Sequence, residues 1–352
     1  MIHDIEKIIK DGIMAPSGEN CQPWRFVVEG DSLDIFNVPE ADMSLYNSLQ
    51  KGSYFAHGAL IENIVLSAQK HGYSTHVSLF PDKYNENQTA RIVFEKAESV
   101  EDSLYPCIVK RCTNRKDFSG EKLTSLEIEQ LQESILLAGS ETLVCVDETE
   151  TLKAVGQALA VNERVLFENK KIHDFFYGHI IWDKKDENKA GGFFIDTLEF
   201  LPHQLGAVKL FKHWTILKLL NRIIGVSKMI SKENGEKYAQ SGTLGALLMK
   251  GETKQDFVSL GRSMQRVWLT ATKLGLAVHP CNGTIYFMEH IKDGGVHSFS
   301  KKHRTLIEKS YEVLQNAFGA HGTRLGFIFR IGKADAPTAR AMRCSPTIDY
   351  VR

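Results

Sequence analysis

The chain has 352 residues, with 43 basic and 43 acidic side chains and a formal charge of zero. That length can bury a large core and suffices for two domains or two half-domains. The balanced charge, with no basic excess, argues against nucleic acid as a main partner.

Taken along the chain, Met1 to Lys10 has scattered charges and no apolar stretch, which speaks against a secretory signal. A short amphipathic helix is expected over Ile2–Met14. It is followed by a Pro-, Ser- and Gly-containing turn and a hairpin, Trp24–Glu29 and Leu33–Val38, joined by Gly30-Asp31-Ser32. A helix with apolar residues at helical spacing follows (Leu60, Ile61, Ile64, Val65, Ala68), then strands near Thr75–Phe80 and Thr89–Phe94. Beyond Tyr105 a helical segment, Leu126–Ala138, precedes a strand, Thr142–Val146, and a last strand is expected over Leu325–Ile331. The most hydrophobic region, Gly206 to Ile230, is broken by Lys209, Lys212, Lys218, Arg222 and Lys228, so no stable membrane insertion is expected. Those residues suit a domain-packing helix at least as well as a membrane-surface one.

An internal repeat runs through this pattern. Gly58 to His76 aligns without gaps on Gly261 to His279, pairing Gly58 with Gly261, Leu66 with Leu269, Ala68 with Ala271, Lys70 with Lys273, Gly72 with Gly275 and His76 with His279. Both copies are amphipathic helices that stop at a glycine and move into extended residues. The reading is an α+β protein: two homologous halves fused into an intramolecular pair, with antiparallel-dominated sheets flanked by helices. The expected halves are 1–104 and 105–352. Residues from about 167 to 253, which hold an aromatic cluster (Phe175, Phe176, Tyr177, Trp182, Phe193, Phe194, Phe200), stand apart as an insertion without counterpart, either a lid or extra helical packing.

Two segments carry the chemistry. Ala15-Pro16-Ser17-Gly18-Glu19-Asn20-Cys21-Gln22-Pro23-Trp24 packs short polar side chains into a turn between helix and strand, where backbone groups can meet a ligand. Arg111-Cys112-Thr113-Asn114-Arg115-Lys116-Asp117-Phe118 brackets a hydroxyl with two guanidiniums, planar charge-assisted donors suited to a phosphate. The six cysteines show neither a C-x-x-C pair nor metal spacing, and the thirteen histidines no H-x-x-x-H or H-E-x-x-H pattern. No metal is expected. With no apolar stretch near its start and cysteines that read as free thiols, the chain is expected in a reducing cytoplasm.

The first segment resembles the P-S-x-x-N-x-Q-P-W turn of the FMN-dependent nitroreductase family. The second resembles that family's R-x-S-x-[RK]-x-F signature, with Thr for Ser and one extra residue before the phenylalanine. The resemblance implies a nitroreductase-like fold in which one subunit supplies the turn and its partner the basic motif. Here the halves divide those roles, since the junction Leu137-Ala138-Gly139-Ser140-Glu141-Thr142 of the second half has no such turn. One flavin per fused chain is therefore expected, as in the Acg-like branch, with the chain a monomeric pseudo-dimer or a further homodimer.

By the resemblance, the FMN-binding residues are Arg111, Thr113, Arg115, Pro16, Ser17, Gly18 and Asn20. To these it adds the loop Pro280, Cys281, Asn282 and Gly283, placed against flavin N5 and O4, and Arg340 and Arg343 near the phosphate. Arg115 is expected at the N1–C2=O edge, where a cation favours the reduced ring. No side chain is assigned a catalytic role, and His279 reads as structural because His76 occupies the matching place in the other half. The implied activity is an oxidoreductase passing hydride from NAD(P)H through flavin to a small acceptor (a nitroaromatic, quinone or enone). The alternative is an FMN-sequestering protein whose insertion lids the flavin and allows little turnover.

Overall fold

In a computed structural model, residues 2–135, 141–186 and 191–351 are described. The first part of the chain forms α1 (Ile2–Gly12), β1 (Trp24–Glu29), β2 (Ser32–Asn37), α2 (Lys51–Lys70), β3 (Tyr73–Leu79) and β4 (Gln88–Lys96). The second opens with α3 (Ser125–Ile135) and β5 (Thr142–Val146). The predicted junction at 137–142 lies mostly outside the described residues. After β5 come α4 (Thr149–Leu159), α5 (Val161–Glu168), α6 (Lys170–Gly178), the two-residue strands β6 (Ile180–Ile181) and β7 (Phe193–Phe194), α7 (Pro202–Phe211), α8 (Trp214–Ile223) and α9 (Val226–Ala239). The chain then returns through β8 (Thr243–Met249), α10 (Lys254–Lys273), β9 (Ala277–Pro280), α11 (Gly283–Lys292), α12 (Lys301–Ala317), β10 (Arg324–Gly332) and β11 (Ile348–Val351).

The two sheets repeat one another. Strand order is β11-β1-β2-β4-β3 in the first and β5-β8-β10-β9 in the second, so β1, β2, β3 and β4 correspond to β5, β8, β9 and β10. All pairings are antiparallel except β1 with β11 and the short β6–β7 pair. The repeat found in sequence therefore extends from one helix to a whole layer of strands.

This corrects the predicted insertion in two places. Residues 243–249 form β8, the counterpart of β2, so the segment near 167–253 does have a partner at its end. Its start is also earlier: β1 passes to β2 through a tight turn at Gly30 (φ +60), whereas β5 reaches β8 only after all of α4 to α9. The proposed boundary at 104/105 is likewise crossed, because β11 adds a parallel strand to the first sheet: Phe26 pairs with Ile348 and Glu29 with Val351.

Helices α2 and α10 are both 20 residues long and cross at the centre of the molecule. Gly58 and Gly261 make the crossing possible. A Cβ on Gly58 would fall 2.0 Å from the Val258 carbonyl oxygen, and one on Gly261 1.9 Å from that of Phe55, a mirrored pair of clashes. The contact is self-complementary, as at a two-fold interface between subunits. Buried Glu62 joins it, taking Arg262 Nε at 2.9 Å and Arg266 Nη1 at 2.8 Å, while Gln265 Nε2 donates to Asn63 Oδ1 at 2.7 Å. Such charge pairing removes most of the cost of burying a carboxylate. Leu60, Ile64, Val258 and Met264 then fuse with Ile35, Ile92, Leu247 and Phe327 from the sheets into one apolar core.

Candidate functional site

Helix α1 ends at Gly12, and after a short turn Pro16 leads into a segment held in sparsely populated backbone. Glu19, Asn20 and Gln22 all have positive φ (43, 57 and 50°). None is glycine, and three such residues within four positions store strain that local hydrogen bonds must offset. The Ser17 hydroxyl accepts from Gln22 N at 3.0 Å, and Cys344 N donates to Gln22 Oε1 at 3.0 Å. Asn20 Nδ2 donates to Met342 O at 3.0 Å, while its Oδ1 accepts from Arg343 Nη1 at 2.8 Å. The turn is thus clamped by the C-terminal segment that runs on into β11.

The basic segment reaches the same place from the other half. Asn114 N donates to Val278 O at 2.9 Å and its Nδ2 to Asp335 O at 2.8 Å, which ties the segment to the edge strand β9. Arg111 then points back toward α1. Its Nη2 donates to Met14 O at 2.9 Å, and its guanidinium lies 4.6 Å over the Trp268 ring.

Pro16, Ser17, Asn20, Arg111, Thr113, Arg115, Arg340 and Arg343 together line one cleft. Eight of the predicted residues, distant in sequence, meet there. Gly18 does not: it is exposed on the far side of its turn, facing Asp42. Pro280, Cys281, Asn282 and Gly283 are also absent from the lining. Cys281 N is spent on Ile328 O at 2.8 Å, and Asn282 is buried with its Oδ1 on Ile328 N at 2.7 Å. A Cβ on Gly283 would fall 2.0 Å from Asn162 Oδ1 of α5, so this loop faces the extra helices. Burial pushes the Cys281 thiol up to about 12, which leaves it an inert thiol at neutral pH. His279 contacts the fully buried Arg330 at 3.3 Å, a core role.

The electrostatics at one end of the cleft are unusual. Arg343 Nε and Nη2 donate to the carbonyls of Ile13 and Met14 just past the end of α1, and Arg340 donates to those of Val109 and Lys110. Backbone carbonyls orient the three guanidiniums without neutralising them. Among the described residues none of Arg111, Arg115, Arg340 or Arg343 forms an ion pair with a carboxylate. Burial, then the neighbouring Arg343 cation, lowers Arg111 to about 9, and burial lowers Arg343 to about 10. Buried Arg111 Nε has no hydrogen-bond partner. A cluster of desolvated, mutually repelling cations with an orphaned donor fits an anionic group such as a phosphate monoester.

Residues of the insertion complete the cleft. Gly192, Phe193 and Thr197 line it. Arg115 Nη1 donates to Thr197 O at 2.9 Å, and its guanidinium sits 5.4 Å from the Phe193 ring centre. Gly191 packs against the Asn20 turn so closely that a Cβ there would come within 2.6 Å of Asn20 O. The paired glycines before two phenylalanines were the available sequence signal, since only glycine permits that approach. Met14, Val109, Cys112, Ala339 and Ala341 also line the cleft without any prior sequence signal. Among the described residues no group of three or more His, Cys, Asp or Glu side chains could hold a metal ion.

No family model matches the chain. It is 23% identical over 342 residues to the uncharacterized protein MT1398 of Mycobacterium tuberculosis (strain CDC 1551 / Oshkosh), covering 96% of this chain and 47% of that protein. The chain thus spans about half the length of this relative. Among solved structures it is similar to a nitroreductase with bound FMN from Bacteroides fragilis (11% identity, 68% of this chain and 91% of that one, TM-score 0.36). It is also similar to the FMN-dependent nitroreductase NfnB of Mycobacterium smegmatis in complex with NADPH (12% identity, 65% and 86%, TM-score 0.36). A nitroreductase with bound FMN from Desulfitobacterium hafniense shows a comparable likeness (15% identity, 69% and 94%, TM-score 0.36).

Proposed function

We propose that this chain is an FMN-binding oxidoreductase of nitroreductase type, two half-units fused so that one flavin is held between them. The observation that supports it most directly is the meeting of the Asn20 turn and the Arg111 segment around one cleft whose cations have no carboxylate partners. Arg111, Arg340 and Arg343 would hold the phosphate, with Thr113 and Ser17 offering hydroxyls along the chain that joins it to the ring. Arg115 would sit beside the ring, and Pro16 and Asn20 would shape the turn against it. Bound there, FMN supplies hydride and electron transfer at its ring nitrogen, from a nicotinamide donor to a small organic acceptor. The protein's part is to bind, orient and exclude water, and no side-chain nucleophile is needed.

A second reading has its own support. Phe193 and Thr197 both engage Arg115, and Gly191 seats on the Asn20 turn, so the insertion reaches across both half-sites. A segment so placed would limit access of nicotinamide and favour flavin sequestration over turnover. The test is the spectrum of the purified protein. One equivalent of FMN bleached rapidly by NADH or NADPH supports the oxidoreductase. Flavin bleached by dithionite but by neither nicotinamide supports sequestration. A protein that takes up no FMN at micromolar flavin overturns both.

A further inference from the structure

Helices α7, α8 and α9 present an uncommon surface. From Phe200 to Lys232 the sequence contains no aspartate or glutamate, yet it holds Lys209, Lys212, Lys218, Arg222, Lys228 and Lys232. The first five are exposed, and none of them forms an ion pair among the described residues, whereas Lys232 pairs with Glu236 on the following turn. Between these cations the helices turn apolar side chains outward. Leu217 is completely buried and anchors α8, but Leu219 is 56% exposed, Ile223 67%, Ile224 57% and Met229 61%. Within α8, Ile216, Leu219, Leu220 and Ile223 follow helical three- and four-residue spacing, so they form one stripe, with Lys218 and Arg222 along its border. Scattered exposed leucines are ordinary, but a contiguous apolar stripe edged only by cations is not.

We propose that this face docks peripherally on an anionic lipid surface. The apolar stripe would enter the interfacial region while Lys209, Lys212, Lys218, Arg222 and Lys228 meet the headgroups. Charge complementarity selects this occupant: five exposed cations without ion pairs among the described residues, on a segment whose sequence holds no acid, fit a negative plane and would repel a second copy. No described helix is long and apolar enough to cross a membrane, so the attachment lies on the surface. The proposal does not depend on the flavin.

The experiment is co-sedimentation of the full chain with vesicles of phosphatidylcholine alone, or with about one-quarter phosphatidylglycerol, at about 0.05 M and about 0.5 M salt. Binding to the anionic vesicles should exceed binding to the neutral ones by about tenfold or more and should fall in the higher salt. Leu219→Glu with Ile223→Glu should abolish it. Lys218→Glu with Arg222→Glu should weaken it about tenfold while circular dichroism stays unchanged. Equal binding of wild type and both variants, or no binding to anionic vesicles, overturns the proposal. So does concentration-dependent self-association in water that the Leu219→Glu, Ile223→Glu protein loses, because a second copy would then cover the stripe.

Discussion

The connection from β1 to β2 and its counterpart from β5 to β8 begin from the same architecture and end in opposite ways. In the first half, two antiparallel strands are closed by a tight turn at Gly30, and the edge of the sheet stays simple. In the second half the same junction carries six helices and a two-stranded ribbon. The sheets themselves hardly register the difference, since both keep the same strand order and the same crossing helix. A hairpin end is exposed backbone that can lengthen without disturbing the core, because loop-closure entropy grows slowly with length. The same scaffold thus stands in both halves, and in the second one turn carries a long insertion. Through Gly191, Phe193 and Thr197 that insertion reaches the turn of the first half and the cations of the second.

The equivalence of the halves is most severely tested at the crossing. Gly58→Leu or Gly261→Leu should each destabilise the protein by more than about 4 kcal/mol or prevent folding, because each side chain would have to occupy the opposite helix backbone. Urea unfolding would show it, and the mirrored clashes predict similar losses at the two positions. A tolerated leucine at either one breaks the two-fold reading. Next in size is Arg111→Ala, which would remove the charge-assisted contact proposed above for the phosphate. It should weaken FMN retention by on the order of 1.5–3 kcal/mol, roughly ten- to a hundredfold. Asn20→Ala should cost less, since Arg343 keeps its bonds to Ile13 and Met14. Full FMN occupancy of the Arg111 variant at sub-micromolar flavin would remove that residue from the site.

How much of this was legible beforehand divides along physical lines. The repeat helices were visible because burial on nearly every side imposes a long apolar pattern, and the glycines at their crossing admit no substitute. The Asn20 turn and the Arg111 segment were visible because strained turns and cation clusters use few residue types. The extent of the insertion was not, since β8 is buried throughout and its apolar run, Thr243–Met249, lacks the alternation that marks a strand. Nor was β11 visible, because a short exposed strand is specified by the edge it joins rather than by its own side chains. The loop at Pro280–Gly283 matched in sequence, yet it lies outside the cleft lining, and its Gly283 packs against Asn162 of α5.

The insertion gives the next test. Phe193→Ala removes the ring beside Arg115 and part of the wall of the cleft. If the insertion restricts access, this variant should exchange bound for free flavin several-fold faster and bleach more readily with NADH. Unchanged exchange would mean that the insertion is packing rather than gate, and would make the two hairpin ends functionally alike.

A last test concerns Glu19, whose carboxyl sits in the strained turn with no hydrogen-bonding partner among the described residues. Burial, then the nearby Asp42 carboxylate, raises its pKa from the usual 4.5 to about 8, with Arg115 opposing. In the unfolded chain the group ionises near 4.5, but in the fold it stays protonated until about 8. The unfolded state therefore binds fewer protons between those values, and the contribution of Glu19 to stability declines as pH rises through that window. Glu19→Gln keeps the shape and removes the ionisation. Its melting temperature should match that of wild type near pH 4.5 and lie above it at pH 8. A pH-independent difference would mean that Glu19 is solvated, and that the first half's turn is open to water rather than sealed by the second half's insertion.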